Sequence, residues 1–303
     1  MSLVYLGTSP FAASVLERLA AQERHRPALV VSRPDRPRGR GQRVSSPAVA
    51  DAARRLGLPL AQPARVNDPE TAGEIIATAA AGPGPATLVV CAFGALIGEQ
   101  LLGAQPILNV HPSLLPRWRG AAPVERAIMA GDERTGVSIM LLTAGLDEGP
   151  VSLAGEEPIR SDDTYGTLAG RLEPLAAELL VRTLDESPPF HEQAAEGVTY
   201  AEKIGPADRI LDPSHPPAQL ERTVRALNPH IGARVQLPGG EPLGVWRARL
   251  AADPDPPAPG ALQAREGRLL FGASLGALEL LEVQPAGGRP MDAPAYLRGH
   301  PLA

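Results

Sequence analysis

Asn109 and His111 stand two residues apart at the end of an apolar run, Ile107 to Val110, before the chain turns through Pro112-Ser113-Leu114-Leu115-Pro116. Side chains alternate along a strand, so the amide and the imidazole share one face. In an open α/β sheet, ligands gather at the carboxyl ends of the strands, which is where this pair falls. Asp147 lies in Thr143-Ala144-Gly145-Leu146-Asp147-Glu148-Gly149-Pro150, between two glycines. Such a turn can bend a carboxylate back toward a neighbouring strand. Amide, imidazole and carboxylate together supply hydrogen bonding and acid-base chemistry. Beside them Leu114 and Leu115, pinned by Pro112 and Pro116, make a rigid apolar loop suited to a flat ligand.

The elements that position these groups follow from the rhythm of hydrophobic residues. Apolar runs at 3–6, 28–32, 87–92 and 107–110 alternate with helix-like stretches at 10–23, 47–56, 69–81 and 121–130. Several of these stretches open with proline, where a missing N–H costs least. The alternation predicts a doubly wound, mostly parallel, Rossmann-like α/β domain. Gly7-Thr8-Ser9-Pro10 follows the first strand but lacks the second and third glycines of a dinucleotide fingerprint, which argues against a nicotinamide enzyme. A long helix over 164–185 is stopped by Glu186-Ser187-Pro188-Pro189. From Ala207 onward, short apolar segments at 235–237, 243–246, 268–271 and 278–283 are separated by Gly and Pro clusters, predicting a small OB-like antiparallel β-barrel. The expected division is residues 1–187, a linker 188–206, and residues 207–303, with 253–260 a surface loop between strands.

With 303 residues and 44% hydrophobic content, the chain can bury the cores of two domains. It holds no run of eighteen apolar residues and passes from Met1 straight into the apolar run at Leu3, so an unexported, cytoplasmic protein is expected. Cys91 is the only cysteine, which rules out an internal disulfide and a thiolate cluster; it reads as a small core residue. No His-x-x-x-His or paired-carboxylate pattern calls for a metal. Net charge is -5, so indiscriminate coating of nucleic acid is disfavoured. Locally the balance reverses: Arg33, Arg36, Arg38, Arg40 and Arg43 stand against Asp35 alone, +4 within eleven residues.

The run Asn109 to Pro123, with Thr135-Gly136-Val137-Ser138-Ile139-Met140 and Leu146-Asp147-Glu148-Gly149-Pro150, resembles the folate-dependent formyltransferases. The similarity covers nearly the whole chain. It includes Gly7-Thr8-Ser9-Pro10-Phe11-Ala12, Thr199-Tyr200-Ala201-Glu202-Lys203-Ile204, Arg225-Ala226-Leu227-Asn228-Pro229 and Gln284-Pro285-Ala286-Gly287. The resemblance implies that an amine attacks the formyl carbon of 10-formyltetrahydrofolate, without a covalent enzyme intermediate and without a metal. Asn109 and His111 would then donate to the developing oxyanion. Asp147 would orient His111 and collect the proton of the new ammonium. Ser113, Leu114, Leu115 and Pro116 would line the folate site beside an apolar wall from Phe93 to Ile97.

The amine is a separate question. Pro34-Asp35-Arg36-Pro37 and Gly39-Arg40-Gly41 match the loop with which the family's tRNA-modifying members enter the acceptor end of a tRNA. The resemblance therefore implies that methionyl initiator tRNA is the partner, with Arg36, Arg38 and Arg40 binding it and residues 207–303 supplying further contacts. Guanidinium groups suit phosphates and exposed bases. An amino-sugar nucleotide is the alternative acceptor, and a monomer is expected. In the second half the chain departs from the family's pattern at Leu211-Asp212-Pro213, at His230-Ile231 where tryptophan is common, and at Gly244 where lysine is common.

Overall fold

The computed structural model describes residues 2–38, 43–82, 86–237 and 240–300. The chain divides into two compact units, one built from 1–123, 135–157 and 169–201, the other from 124–134, 158–168 and 202–303.

The first unit opens with strand β1 (Leu3–Gly7) and helix α1 (Pro10–Ala20), whose Ser9 hydroxyl caps the helix by accepting from the Ala12 N–H. There follow β2 (Leu29–Val31), a hairpin of β3 (Arg36–Arg38) and β4 (Arg43–Ser45), α2 (Ala48–Arg55) and β5 (Leu60–Ala61). Next come α3 (Pro69–Ala80), β6 (Thr87–Cys91), α4 (Glu99–Ala104), β7 (Ile107–His111) and β8 (Arg119–Gly120). Helix α5 (Pro123–Ala130), which belongs to the second unit from residue 124 on, is followed by β9 (Arg134–Leu141), β10 (Val151–Pro158), α6 (Tyr165–Glu186), whose first turn also belongs to the second unit, and β11 (Tyr200–Ala201).

The central sheet has the order β10-β9-β7-β6-β1-β2-β5. Strands β5, β2, β1, β6 and β7 are parallel, and β9 runs antiparallel to β7. Strand order therefore reverses between β1 and β6, the crevice where such sheets bind ligands. Val4, Leu6, Val31, Leu88 and Val90 bury one face of this sheet against Ala72, Ile75 and Leu101 of α3 and α4. Burial on both sides explains why these strands are continuous apolar runs rather than alternating ones.

The second unit adds α7 (Pro217–Leu227), β12 (Ala233–Gln236), β13 (Pro242–Ala251), β14 (Leu262–Arg265), β15 (Arg268–Ala273), β16 (Gly276–Gln284), β17 (Met291–Asp292) and α8 (Ala293–Gly299). Its antiparallel sheet has the order β12-β13-β16-β15-β14, with β17 on β16. Among the described residues the end strands β12 and β14 do not pair, so the expected barrel is an antiparallel sheet that does not close into a ring. Leu220, Val224 and Leu227 of α7 and Tyr296 of α8 cover Val235, Val245, Phe271, Leu278 and Leu280. His230 pairs through Nε2 with Glu125 Oε1 at 3.0 Å, and its ring lies against that of Tyr165, 3.9 Å between ring centres and tilted by 31°.

Candidate active site

Asn109 and His111 end β7, register-paired with Met140 and Ser138 of β9. Both are buried, and both reach the same carboxylate, so they share one face of the sheet as the alternation predicts. Asn109 Nδ2 lies 3.4 Å from Asp147 Oδ1, and His111 Nδ1 lies 3.6 Å from Asp147 Oδ2. Asp147 also accepts the Gly120 N–H on Oδ2 at 2.8 Å. The three sequence-predicted catalytic side chains are thus brought together.

Local backbone conformation fixes this meeting. Asp147 has φ +48°, a left-handed conformation that turns its carboxylate inward from the β9–β10 connection. Gly149 must be glycine, because a Cβ there would collide with the Leu141 carbonyl oxygen. Trp118 has φ +65° and aims its carbonyl at His111 Nε2, 2.9 Å away. Ala92, φ +41°, follows β6 beside the same strand ends. Left-handed backbone costs an L-residue about 1 to 2 kcal/mol, and such strain collects at functional sites.

The contacts of His111 decide its proton. A carbonyl oxygen only accepts, so the Nε2 facing Trp118 carries hydrogen. The neutral ring then has a bare Nδ1 facing Asp147. His111 can donate to an oxyanion through Nδ1 only when the ring is doubly protonated, a condition the sequence did not reveal. Asn109 needs no such condition, since its amide has a second hydrogen.

The loop after β7 is stiffened from within. Ser113 is fully buried; its hydroxyl donates to the Arg117 carbonyl at 2.7 Å, and its carbonyl accepts from Ser138 Oγ at 2.8 Å. Ser138 Oγ in turn accepts the Leu115 N–H at 3.2 Å. Ser113 therefore builds the loop, while Leu114, Leu115 and Pro116 form its half-buried apolar surface. The expected wall at 93–97 splits: Phe93 enters the core and Leu96 is 83% exposed. Thr8 Oγ1 donates to the Phe93 carbonyl at 2.6 Å, tying together the segments that follow β1 and β6 across the crevice.

Residues beyond 187, expected as linker, run past this site. His191 pairs with Val151, β11 pairs parallel with β8, and the Trp118 N–H donates to Thr199 Oγ1 at 2.9 Å. Gln193 Nε2 donates to the carbonyls of Asp147 and Gly149, both at 2.8 Å. Its Oε1 accepts from Arg119 Nε at 3.1 Å and Nη2 at 2.8 Å. Sequence reasoning missed Gln193, Arg119 and Gly120 as parts of the site. No local pattern marks Gln193, whose partners lie 44 to 74 residues away.

The arginine-rich segment is a β-hairpin in register Arg36↔Ser45, Pro37↔Val44, Arg38↔Arg43. Asp35 anchors its base, accepting from Gln62 Nε2 at 2.7 Å and Ser46 Oγ at 3.0 Å, with Arg54 3.6 Å away. The Gln62 hydrogen bond, followed by that of Ser46, holds its carboxyl below the usual range. Arg36 is exposed on β3. Arg40 and the side chain of Arg38 lie outside the described residues. Cys91 is fully buried, and desolvation pushes its thiol up to about 12. Among the described residues no three His, Cys, Asp or Glu side chains gather to hold a metal, and no helix is long and apolar enough to cross a membrane.

The open α/β sheet thus gathers an amide, an imidazole and a carboxylate at the end of β7, where sheets of this kind bind ligands. The chain belongs to the formyl transferase family: the family model matches residues 1–184, and a model of the formyl transferase C-terminal domain matches residues 203–301. It is 43% identical over 309 residues to a methionyl-tRNA formyltransferase of Paracoccus denitrificans, covering 100% of this chain and 98% of the relative. It is 41% identical over 307 residues to a methionyl-tRNA formyltransferase of Dechloromonas aromatica, covering 100% and 97%. Among solved structures, HypX from Aquifex aeolicus in complex with tetrahydrofolic acid superposes with a TM-score of 0.64 at 16% identity, over 98% of this chain and 47% of that one.

Proposed function

We propose that this protein transfers the formyl group of 10-formyltetrahydrofolate to the α-amino group of methionyl initiator tRNA, yielding N-formylmethionyl-tRNA for translation initiation in the cytoplasm. The convergence of Asn109 and His111 on Asp147 carries the reading, in a chain whose relatives of that activity align from end to end. The folate assignment draws further support from the tetrahydrofolic acid complex of a protein with the same fold.

An α-amino group has a reference pKa of about 7.7 to 8.0, so a useful neutral fraction exists near pH 7 without a strong base. Carbonyl activation is the harder task. Asn109 Nδ2 donates to the oxygen as negative charge develops there, and protonated His111 adds a second donor from Nδ1. Asp147 holds its carboxylate against both groups and takes the amine's proton, which then passes to the departing folate nitrogen. Leu114, Leu115 and Pro116 form the apolar side of the folate site, and Ser113 fixes their backbone.

Residues 1–187 carry the transfer chemistry, 188–206 link, and 207–303 contact tRNA. Arg36, Arg38 and Arg40 engage the acceptor end, with the protein acting as a monomer. Incubation with 10-formyltetrahydrofolate and methionyl initiator tRNA tests the assignment, with an amino-sugar nucleotide in a parallel reaction. Formyl-methionyl-tRNA is the expected product. Formylation of the amino sugar alone overturns the tRNA reading and leaves the folate chemistry standing.

A further inference from the structure

We propose that Gln193 is a positioning residue for Asp147, an inference that rests on the proton-transfer role of Asp147 given above. One end of its amide donates to the carbonyls of Asp147 and Gly149, each at 2.8 Å. The other end accepts two N–H groups of Arg119. The carbonyls require a donor and the guanidinium requires an acceptor, so a side-chain amide meets both demands where a carboxylate, an ammonium or an alkyl group does not. Gln193 thereby joins the turn that carries Asp147 to strand β8.

This connection matters because β8 itself holds the carboxylate. Gly120, next to Arg119, donates its N–H to Asp147 Oδ2 at 2.8 Å. Asp147 is thus fixed from two sides: its side chain by Gly120 and its left-handed backbone by Gln193. The segment bearing Gln193 is registered by the His191–Val151 bridge before it and by the β11–β8 pairing after it. Gly120, φ +120°, admits that pairing because a Cβ there would stand 2.7 Å from the Ala201 carbonyl oxygen. Without the Gln193 donors the turn can shift against β8, and a displacement of about 1 Å in a catalytic group costs on the order of 100-fold in rate.

Gln193→Glu is the discriminating variant. It keeps the volume and the Arg119 pairing but sets carboxylate oxygens against two carbonyls. In the full-length enzyme kcat is expected to fall roughly 10- to 100-fold, with KM for folate and tRNA held and the melting temperature retained. Gln193→Ala should lose kcat to a similar degree. Normal kcat in Gln193→Glu overturns the proposal, as does a loss confined to KM or one that merely follows the folded fraction. Asp147→Asn, measured alongside, separates the two levels. If it keeps full turnover, the role of Asp147 fails; if it loses turnover while Gln193→Glu does not, only the positioning role fails.

Discussion

His111 turns Nε2 to the Trp118 carbonyl at 2.9 Å and leaves Nδ1 facing Asp147 Oδ2 at 3.6 Å. That separation exceeds a hydrogen bond. The ring's committed hydrogen points away from the carboxylate, and the remaining nitrogen and Oδ2 form a gap in which one proton can be held. Asn109 meanwhile keeps an amide hydrogen available in every protonation state of its neighbours.

Asn109→Ala removes the donor that needs no prior protonation. Loss of one oxyanion donor is worth about 3 to 4 kcal/mol, or roughly 10² to 10³ in kcat. Single-turnover formylation at saturating folate measures it directly. A variant within a few-fold of the parent rate excludes Asn109 from oxyanion stabilisation.

Arg36 projects from β3 with its base secured by Asp35. Arg36→Ala and Arg40→Ala should each raise the KM for tRNA and leave the KM for folate in place. The slope of log K against log salt should fall by about 0.7 to 0.9 for each phosphate that the variant no longer neutralises. Unchanged salt dependence in both variants removes the hairpin from the tRNA interface.

Cys91 lies in the core at the end of β6, its thiol pushed up to about 12 by burial. The thiolate is the reactive form, so the native enzyme should resist a thiol-specific reagent at pH 8 that labels the unfolded chain completely. Rapid labelling of the native protein contradicts the packing described for β6.

Arg126 Nη1 bonds Asp208 Oδ1 at 2.7 Å, and that contact, reinforced by the Gly205 N–H, holds the Asp208 carboxyl below the usual range. A depressed carboxylate stabilises the fold above its unfolded value of about 3.9 and loses that contribution as pH falls through the folded value. Asp208→Asn should therefore lower stability at pH 7 by up to about 1 kcal/mol, since the pair is partly exposed. Denaturant midpoints of the two proteins should converge below the folded value. A constant difference across that range contradicts the assignment.

Much of the first unit is legible in the sequence because parallel strands buried on both faces must be apolar throughout. The runs at 3–6, 87–92 and 107–110 became β1, β6 and β7 within one residue at their ends. Distant pairing moved other boundaries. Helix α5 begins at Pro123 rather than Ala121: the residue before a proline is disfavoured in helical conformation, and the N–H groups of Ala121 and Ala122 instead meet the Ala201 carbonyl, 80 and 79 residues away. The β3–β4 hairpin has no apolar alternation to announce it, and α7 and α8 lie among segments whose strands dominate the pattern. Asn109 and His111 were legible from strand spacing and Asp147 from its glycine turn. The N–H of Gly120 and the amide of Gln193 were not, because nothing near them in the chain records their partners.

The most direct test of this account is Asp147→Asn, which preserves shape and removes the carboxylate. Single-turnover formylation of methionyl initiator tRNA, with folate affinity measured in parallel, should give a rate lower by about 10² to 10⁴ and an unchanged affinity. A variant that transfers the formyl group at the parent rate contradicts the proposed mechanism at its centre.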